Sequence, residues 1–202
     1  MRDKYDNFAA LSAAEPADAF SISVCDRASQ VAVAAPHGGG IEPGTSEIAI
    51  AIAGAHLSYY LFEGHKRQGN TALHITSANF DEPCGLALMR SAACVLTVHG
   101  EASESEAVYL GGRNLALKRA LSAALVTHGY VVREDANLQG LDARNICNLG
   151  ETGAGVQLEL SVGLRRSFFE SLSRAGRAKP SARLAEFSAI VRGTAVTLDA
   201  LC

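Results

Sequence analysis

The chain has 202 residues, of which 48% are apolar and 19% charged, and its formal net charge at pH 7 is −3. This composition excludes a disordered chain, and the charge excludes nucleic-acid binding through bulk positive charge. No apolar run reaches the ~18 residues of a membrane span, and the charged N-terminal segment lacks the apolar core of a secretion signal. We therefore expect a single soluble domain over residues 1–202, synthesised in the cytoplasm, with no nucleic-acid or membrane partner.

Strand-like and helix-like patterns alternate along the chain. In chain order, they predict a helix within residues 3–15, strands at 20–24 and 30–34, a helix at 48–55 capped by Thr45 or Ser46, strands at 58–62 and 73–75, a helix at 85–92, strands at 94–98 and 107–110, a helix at 114–127, strands at 130–133 and 156–162, and helices at 165–175 and 182–192. The alternation predicts an α/β fold with one layered, mostly parallel or mixed sheet flanked by helices.

Polar side chains follow the predicted strands where functional sites usually lie in such folds. His37 and Glu42 come after one strand, and His99 follows another. Two histidines and one glutamate suffice for a catalytic zinc site, which takes three protein ligands and leaves one position for water. This pattern makes a site for one zinc ion a hypothesis, beside the alternative that each histidine is a hydrogen-bonded structural residue at a strand end.

Two further features bear on this hypothesis. The glycines at 38–40 let the chain turn tightly enough for His37 and Glu42 to reach one ion, and Glu159 is a carboxylate on an otherwise apolar strand, as a general base would be. The same glycines also suit a plain turn or an oxyanion-hole loop of the esterase kind. The esterase interpretation requires a G-x-S-x-G motif, which the sequence lacks.

The sequence resembles a known family over most of its length. The segment APHGGGIEPGTSEIA at residues 35–49 closely resembles the phage- and prophage-encoded poly-γ-glutamate hydrolases. The resemblance continues through FEG at 62–64, LHITS at 73–77, FDEP at 80–83, VHG at 98–100, NICN at 145–148 and GVQLELS at 155–161. It extends roughly from residue 3 to residue 169.

The resemblance implies a zinc-dependent hydrolase of γ-glutamyl amide bonds with a fold similar to the zinc carboxypeptidases. It implies one zinc ion held by His37, Glu42 and His99, with Glu159 as the general base. The implied substrate is poly-γ-glutamate or another γ-glutamyl or carboxylate compound. Poly-γ-glutamate capsules lie outside the cell, so the resemblance also implies that the enzyme is released by phage-mediated host lysis.

Residues that would bind the substrate carboxylates are suggested by residue type, because guanidinium groups bind carboxylates with two parallel hydrogen bonds. Arg165, just after the Glu159 strand, is the first candidate, Arg113 is the second, and Asn145 offers an amide donor. The family pattern places an arginine directly after the NICN segment, where this chain has Leu149.

Three further residues near these motifs have other expected roles. His74 is expected to be a buried, hydrogen-bonded histidine and not a fourth ligand, while Asp81 or Glu82 could orient a zinc-binding histidine.

Two other functions remain as alternatives. One is a zinc deacylase or carboxypeptidase acting on a small N-acyl amino acid or peptide. The other is a phage-related accessory protein without catalysis, which the complete set of His37, Glu42, His99 and Glu159 disfavours.

Overall fold

The protein is described by a computed structural model over residues 3–199. In this range, the chain forms one seven-stranded sheet with helices on both faces, which confirms the predicted α/β class. The strands are β1 (Phe20–Cys25), β2 (Val31–Gly39), β3 (Ser58–Gly64), β4 (Cys94–Glu101), β5 (Val108–Gly111), β6 (Val132–Arg133) and β7 (Val156–Ser161).

The strand order places the carboxyl ends of three central strands side by side. Across the sheet the order is β1-β3-β2-β4-β7-β5-β6. Strands β3, β2, β4 and β7 are parallel, whereas β1 is antiparallel to β3 and β5 is antiparallel to β7. The sheet is therefore mixed, and its parallel part brings the ends of β2, β4 and β7 to one edge.

The helices cover both faces of the sheet and form two apolar cores. They are α1 (Phe8–Ala14), α2 (Thr45–Ala53), α3 (Pro83–Arg90), α4 (Leu115–Thr127), α5 (Val162–Ser167), α6 (Arg174–Arg177) and α7 (Ala182–Asp199). Helices α2, α4 and α7 pack on one face, and α1 and α3 contribute to the core on the other. None of the helices within residues 3–199 is long and apolar enough to cross a membrane.

The two faces of β4 and β7 differ in chemistry because alternate side chains point to opposite sides of a strand. Leu96, Val98, Leu158 and Leu160 belong to the core formed with α2, α4 and α7. The intervening residues of these strands near the carboxyl ends, including His99 and Glu159, belong to neither apolar core.

One predicted strand was wrong. Residues 73–75 are not a strand, because a 3-10 turn, Asn70–Leu73, leads into an irregular segment. Leu73 and Ile75 are buried in the second core, and this burial produced the strand-like alternation.

The helix predicted at 165–175 is two short helices, α5 and α6. Between them, buried Phe169 forms an antiparallel bridge with Pro180, so the chain doubles back at this point.

Candidate metal centre

Three potential metal ligands converge at the carboxyl ends of β2 and β4. His37 lies near the end of β2, Glu42 lies in the turn before α2, and His99 lies in β4. The Nδ1 atoms of the two histidines are 3.1 Å apart, and the Glu42 oxygens lie 3.3 Å from Nδ1 of His37 and 3.9 Å from Nδ1 of His99. One ligand atom from each of the three residues lies within 4.8 Å of the other two.

The tight turn that joins His37 to Glu42 depends on glycine. The register of β2 against β3 shifts between Ala35 and Gly38, and the backbone N–H of Glu42 donates to the His37 carbonyl at 2.8 Å. Gly39 has a φ of +64°, and a Cβ at this position would lie 2.6 Å from the Gly64 carbonyl oxygen. The turn therefore excludes side chains at this point, as the glycine run predicted.

Hydrogen-bonding neighbours orient the three ligands, and the Nδ1 atoms of the two histidines face the centre of the cluster. Nε2 of His37 lies 2.8 Å from the Ile75 carbonyl oxygen, which makes Nε2 the donor and leaves the Nδ1 lone pair free. The backbone N–H of Gly100 donates to Oε2 of Glu42 at 2.8 Å. Nε2 of His99 lies 3.4 Å from Oγ of Ser77.

The donor set fits zinc. In a tetrahedral zinc site with ligand distances of ~2.0–2.2 Å, neighbouring donors lie about 3.3 Å apart. The observed separations of 3.1 and 3.3 Å around His37 are close to this value. Two imidazoles and one carboxylate are the ligand types of a catalytic zinc site with a position left for water.

The ionisation of the three residues favours a bound cation. Burial alone would raise the pKa of Glu42, but His37, His99 and the Gly100 N–H lower it to about 2. Burial and the neighbouring His37 lower the pKa of His99 to about 3. Burial also disfavours a charge on His37, yet the Glu42 carboxylate raises the pKa of His37. A metal ion at Nδ1 of His37 requires the neutral imidazole, so metal binding competes with protonation of this residue.

Glu159 lies beside this centre, on the neighbouring parallel strand. It is paired in register with His99 through β7 and β4. Burial, followed by the negative charge of Glu42, raises the pKa of Glu159 to about 8. A carboxylate with a pKa near neutrality can accept and return a proton at physiological pH. The structure thus places the expected base next to the expected ligands.

A hydrogen-bonded chain of amides orients Glu159. Nε2 of Gln157 donates to Oε1 of Glu159 at 3.2 Å and to the Leu138 carbonyl at 3.0 Å. Nδ2 of Asn145 donates to Oε1 of Gln157 at 3.0 Å. Our sequence analysis missed Gln157, although its position two residues before Glu159 places both side chains on one face of β7.

The ligands and Glu159 line a cleft of about 330 Å³. Its walls also carry Glu101, a second residue that the sequence analysis missed, together with Asn145 and Gln157. Among the described residues, no lysine or arginine lines this cleft. The cleft is therefore acidic and amide-rich, and any cation that binds a substrate carboxylate directly has to reach in from outside it.

The three proposed substrate-binding residues lie in different environments. Asn145 is buried and lines the cleft. Arg113 is exposed, and its side chain has no hydrogen bond or ion pair within residues 3–199. Arg165 is only 4% exposed, and its guanidinium donates to three backbone carbonyls. The structure does not bring these three side chains together.

Other sequence-predicted residues also have defined positions. His74 stacks on His37 with ring centroids 4.0 Å apart, and its Nδ1 lies 2.7 Å from Oδ1 of Asp3. It is hydrogen-bonded as predicted, although it is partly exposed and lines the cleft. Asp81 accepts from the backbone N–H of Phe8, and Glu82 caps α3, so both carboxylates serve backbone N–H groups.

Comparisons with known proteins agree with this geometry. Residues 5–192 match the poly-gamma-glutamate hydrolase family. The SPbeta prophage-derived protein YoqZ of Bacillus subtilis (strain 168) is 39% identical over 178 residues, which are 87% of this chain and 65% of YoqZ. This chain thus spans just under two thirds of that relative.

Two solved structures are also similar. A bacteriophage poly-gamma-glutamate hydrolase has a TM-score of 0.96 and 29% identity, with both chains covered completely. The zinc-free apo form of YndL has a TM-score of 0.92 and 36% identity, covering 96% of this chain and 97% of YndL. These similarities confirm the zinc-carboxypeptidase-like fold that the sequence resemblance implied. The chain belongs to the poly-gamma-glutamate hydrolase family.

Proposed function

We propose that the protein is a zinc-dependent hydrolase that cleaves the γ-glutamyl amide bonds of poly-γ-glutamate. The observation that carries the proposal is the pairing of Glu159 with His99 in register, which sets a carboxylate with a raised pKa beside the His37, Glu42 and His99 cluster. Membership of the poly-gamma-glutamate hydrolase family supports the choice of bond and polymer.

The chemistry divides between the bound ion and the protein. When bound, zinc acidifies water and polarises a carbonyl group, so that hydrolysis proceeds near neutral pH. Glu159 takes the proton from the attacking water and passes it to the leaving amine. Gln157 holds one oxygen of Glu159 at 3.2 Å and thereby fixes the direction of both proton transfers.

Asn145 and Arg113 are our candidates for contact with the substrate. Asn145 lies in the cleft wall and its amide donates to Gln157, so a substrate that binds Asn145 lies near the residue that orients Glu159. Arg113 is exposed outside the cleft and has an unpaired guanidinium within the described residues. It suits a carboxylate on a part of the polymer that extends beyond the cleft.

A small N-acyl amino acid or peptide is the alternative substrate class. The observation that favours it is the size of the cleft, which is about 330 Å³ and therefore at the small end of the range for ligand pockets.

Product sizing distinguishes these possibilities. The zinc-loaded protein is incubated with poly-γ-glutamate, with α-linked polyglutamate as the matched control polymer, and with N-acetylglutamate. We expect shortening of the γ-linked polymer alone. Hydrolysis of N-acetylglutamate alone would support the small-substrate alternative, and no hydrolysis of any of the three would contradict the proposed function.

Release by phage-mediated lysis is our proposal for how the enzyme reaches an extracellular polymer. The prophage origin of the relative YoqZ supports it. Induction of a prophage that carries the gene should bring the activity into the medium together with host lysis, whereas release without lysis would contradict this route.

A further inference from the structure

Arg165 is a buried arginine whose guanidinium binds backbone instead of facing the cleft. Its Nε donates to the Leu160 carbonyl at 3.0 Å, its Nη1 to the Pro43 carbonyl at 2.6 Å and its Nη2 to the Glu101 carbonyl at 3.1 Å. Each of its three nitrogens thus has a carbonyl partner, and the residue is only 4% exposed.

Each of the three carbonyls belongs to a segment that carries one functional side chain. Pro43 directly follows the ligand Glu42, Leu160 directly follows Glu159, and Glu101 lies two residues after the ligand His99. These segments are the turn before α2, strand β7 and strand β4. One planar group therefore joins the parts of the chain that supply two ligands and the base.

The contact with Gly100 adds a fourth link. A Cβ at Gly100 would lie 2.7 Å from Cζ of Arg165, so the guanidinium rests against the backbone of this glycine. The N–H of Gly100 is the group that donates to Oε2 of Glu42. The glycine after His99 is thus required by the close approach of Arg165, and it also holds the carboxylate ligand.

A lysine cannot reproduce this arrangement. The guanidinium presents donors in a rigid fork that reaches carbonyls in three directions, whereas an ammonium is a single point on a flexible stem. Burial lowers the pKa of Arg165, and the nearby Glu42, Glu101 and Glu159 carboxyl groups oppose this effect. Within the described residues, Arg165 forms no direct ion pair with the carboxylate ligand, so its contacts to the site run through the backbone carbonyls.

We propose that Arg165 is a positioning residue that fixes Glu42, His99 and Glu159 relative to one another and thereby sets the zinc affinity. This replaces the role of carboxylate clamp that its residue type suggested. The effect on catalysis rests on the proposed function, but the effect on zinc affinity does not.

The test compares Arg165→Lys with Arg166→Lys, its neighbour on α5, which is exposed and pairs with Glu104. Zinc affinity is measured by competition with a chromogenic chelator in the absence of substrate. Loss of an outer contact to a metal ligand costs ~10–100-fold in affinity. We expect a loss in this range for Arg165→Lys and none for Arg166→Lys.

Kinetics on zinc-saturated protein separate positioning from substrate binding. For Arg165→Lys, we expect a fall in kcat with little change in KM for poly-γ-glutamate. A change in zinc affinity of less than about threefold, well below the usual cost of losing an outer contact, would overturn the proposal. If the wild type does not cleave the polymer, the proposed function fails, but the zinc comparison still decides the role of Arg165.

The variant Gly100→Ala tests the same proposal without replacing Arg165. Its methyl group would displace the guanidinium, so we expect a similar loss of zinc affinity and a changed visible spectrum of the cobalt-substituted protein. Combining Gly100→Ala with Arg165→Lys should cost less than the sum of the two single losses, because both break the same contact. Wild-type zinc affinity and an unchanged cobalt spectrum in Gly100→Ala would overturn the proposal, even where Arg165→Lys does not fold.

Discussion

The two faces of strands β4 and β7 belong to the same backbone but have different roles, one in the apolar core and one in the candidate site. On one face, Val98, Leu158 and Leu160 are buried among the side chains of α2, α4 and α7. On the other face, His99 and Glu159 are paired in register and line the cleft. Because successive side chains of a strand point to opposite faces, one strand can contribute to the apolar core on one side and to the candidate metal site on the other. We therefore expect substitutions on one face to lower stability and those on the other to lower zinc binding or rate.

The largest effect is expected for His99→Ala on the cleft face. This substitution removes one of three ligands, so zinc affinity should fall by more than the ~10–100-fold that loss of an outer contact costs. Metal analysis after dialysis and the rate of polymer cleavage measure this. Wild-type zinc content in His99→Ala would show that the ion is bound elsewhere.

The opposite face should respond to Leu158→Ala with a loss of stability. Leu158 is fully buried, and truncation of such a leucine costs ~2–5 kcal/mol through lost burial and the cavity left behind. Chemical denaturation of the zinc-free protein measures the free energy of unfolding. Zinc stoichiometry should remain that of the wild type in the folded fraction, and a stability loss below ~1 kcal/mol would contradict the division between the faces.

Glu159→Gln should alter the pH dependence of stability of the metal-free protein. Burial and then Glu42 raise the pKa of Glu159 from 4.5 to about 8. Between these pH values the folded protein holds a proton that the unfolded chain has released, so wild-type stability falls as the pH rises through this window.

Glutamine cannot titrate, so the stability of Glu159→Gln relative to wild type should increase by about 1–4 kcal/mol from pH 5 to pH 8. Denaturation at both pH values, with Glu170→Gln as an exposed control, measures this difference. A constant difference between variant and wild type would contradict the raised pKa.

The smallest effect is expected for Gln157→Met, which keeps the volume of the side chain but removes its hydrogen bonds to Glu159 and Asn145. Since Gln157 orients the base without binding the ion, kcat should fall by ~10-fold while zinc content stays unchanged. Steady-state kinetics and metal analysis on the same preparation test this. Loss of zinc would instead assign Gln157 to the support of the ligands.

The sequence predicted the fold well where periodicity and sheet pairing agree. The strand at residues 156–162 was predicted close to its actual bounds because its apolar alternation reflects a real two-faced sheet position, whereas the strand predicted at 94–98 continues to Glu101. Residues 73–75 show the same alternation for another reason, namely burial under the sheet without pairing. The local sequence pattern does not distinguish a paired strand from a buried segment without pairing, because strand formation depends on a neighbouring strand.

The metal ligands of the candidate site could be predicted from the sequence, whereas the role of Arg165 could not. His37, Glu42 and His99 carry ligand chemistry in their residue types and lie after strands, so the sequence pointed to them as a group. Arg165 has a residue type that suggests binding of carboxylates, but its three carbonyl partners come from distant segments. Burial of an arginine against backbone leaves no trace in the local sequence.

The most direct test of the account measures polymer length and zinc content in the same samples of wild type and Glu159→Gln. The account predicts about one zinc per chain in both proteins, with shortening of poly-γ-glutamate by the wild type and a rate reduced by at least ~100-fold in the variant. Equal rates of shortening by the two zinc-loaded proteins would contradict the assignment of Glu159 as the base. Absence of zinc from a folded wild type would contradict the metal centre itself.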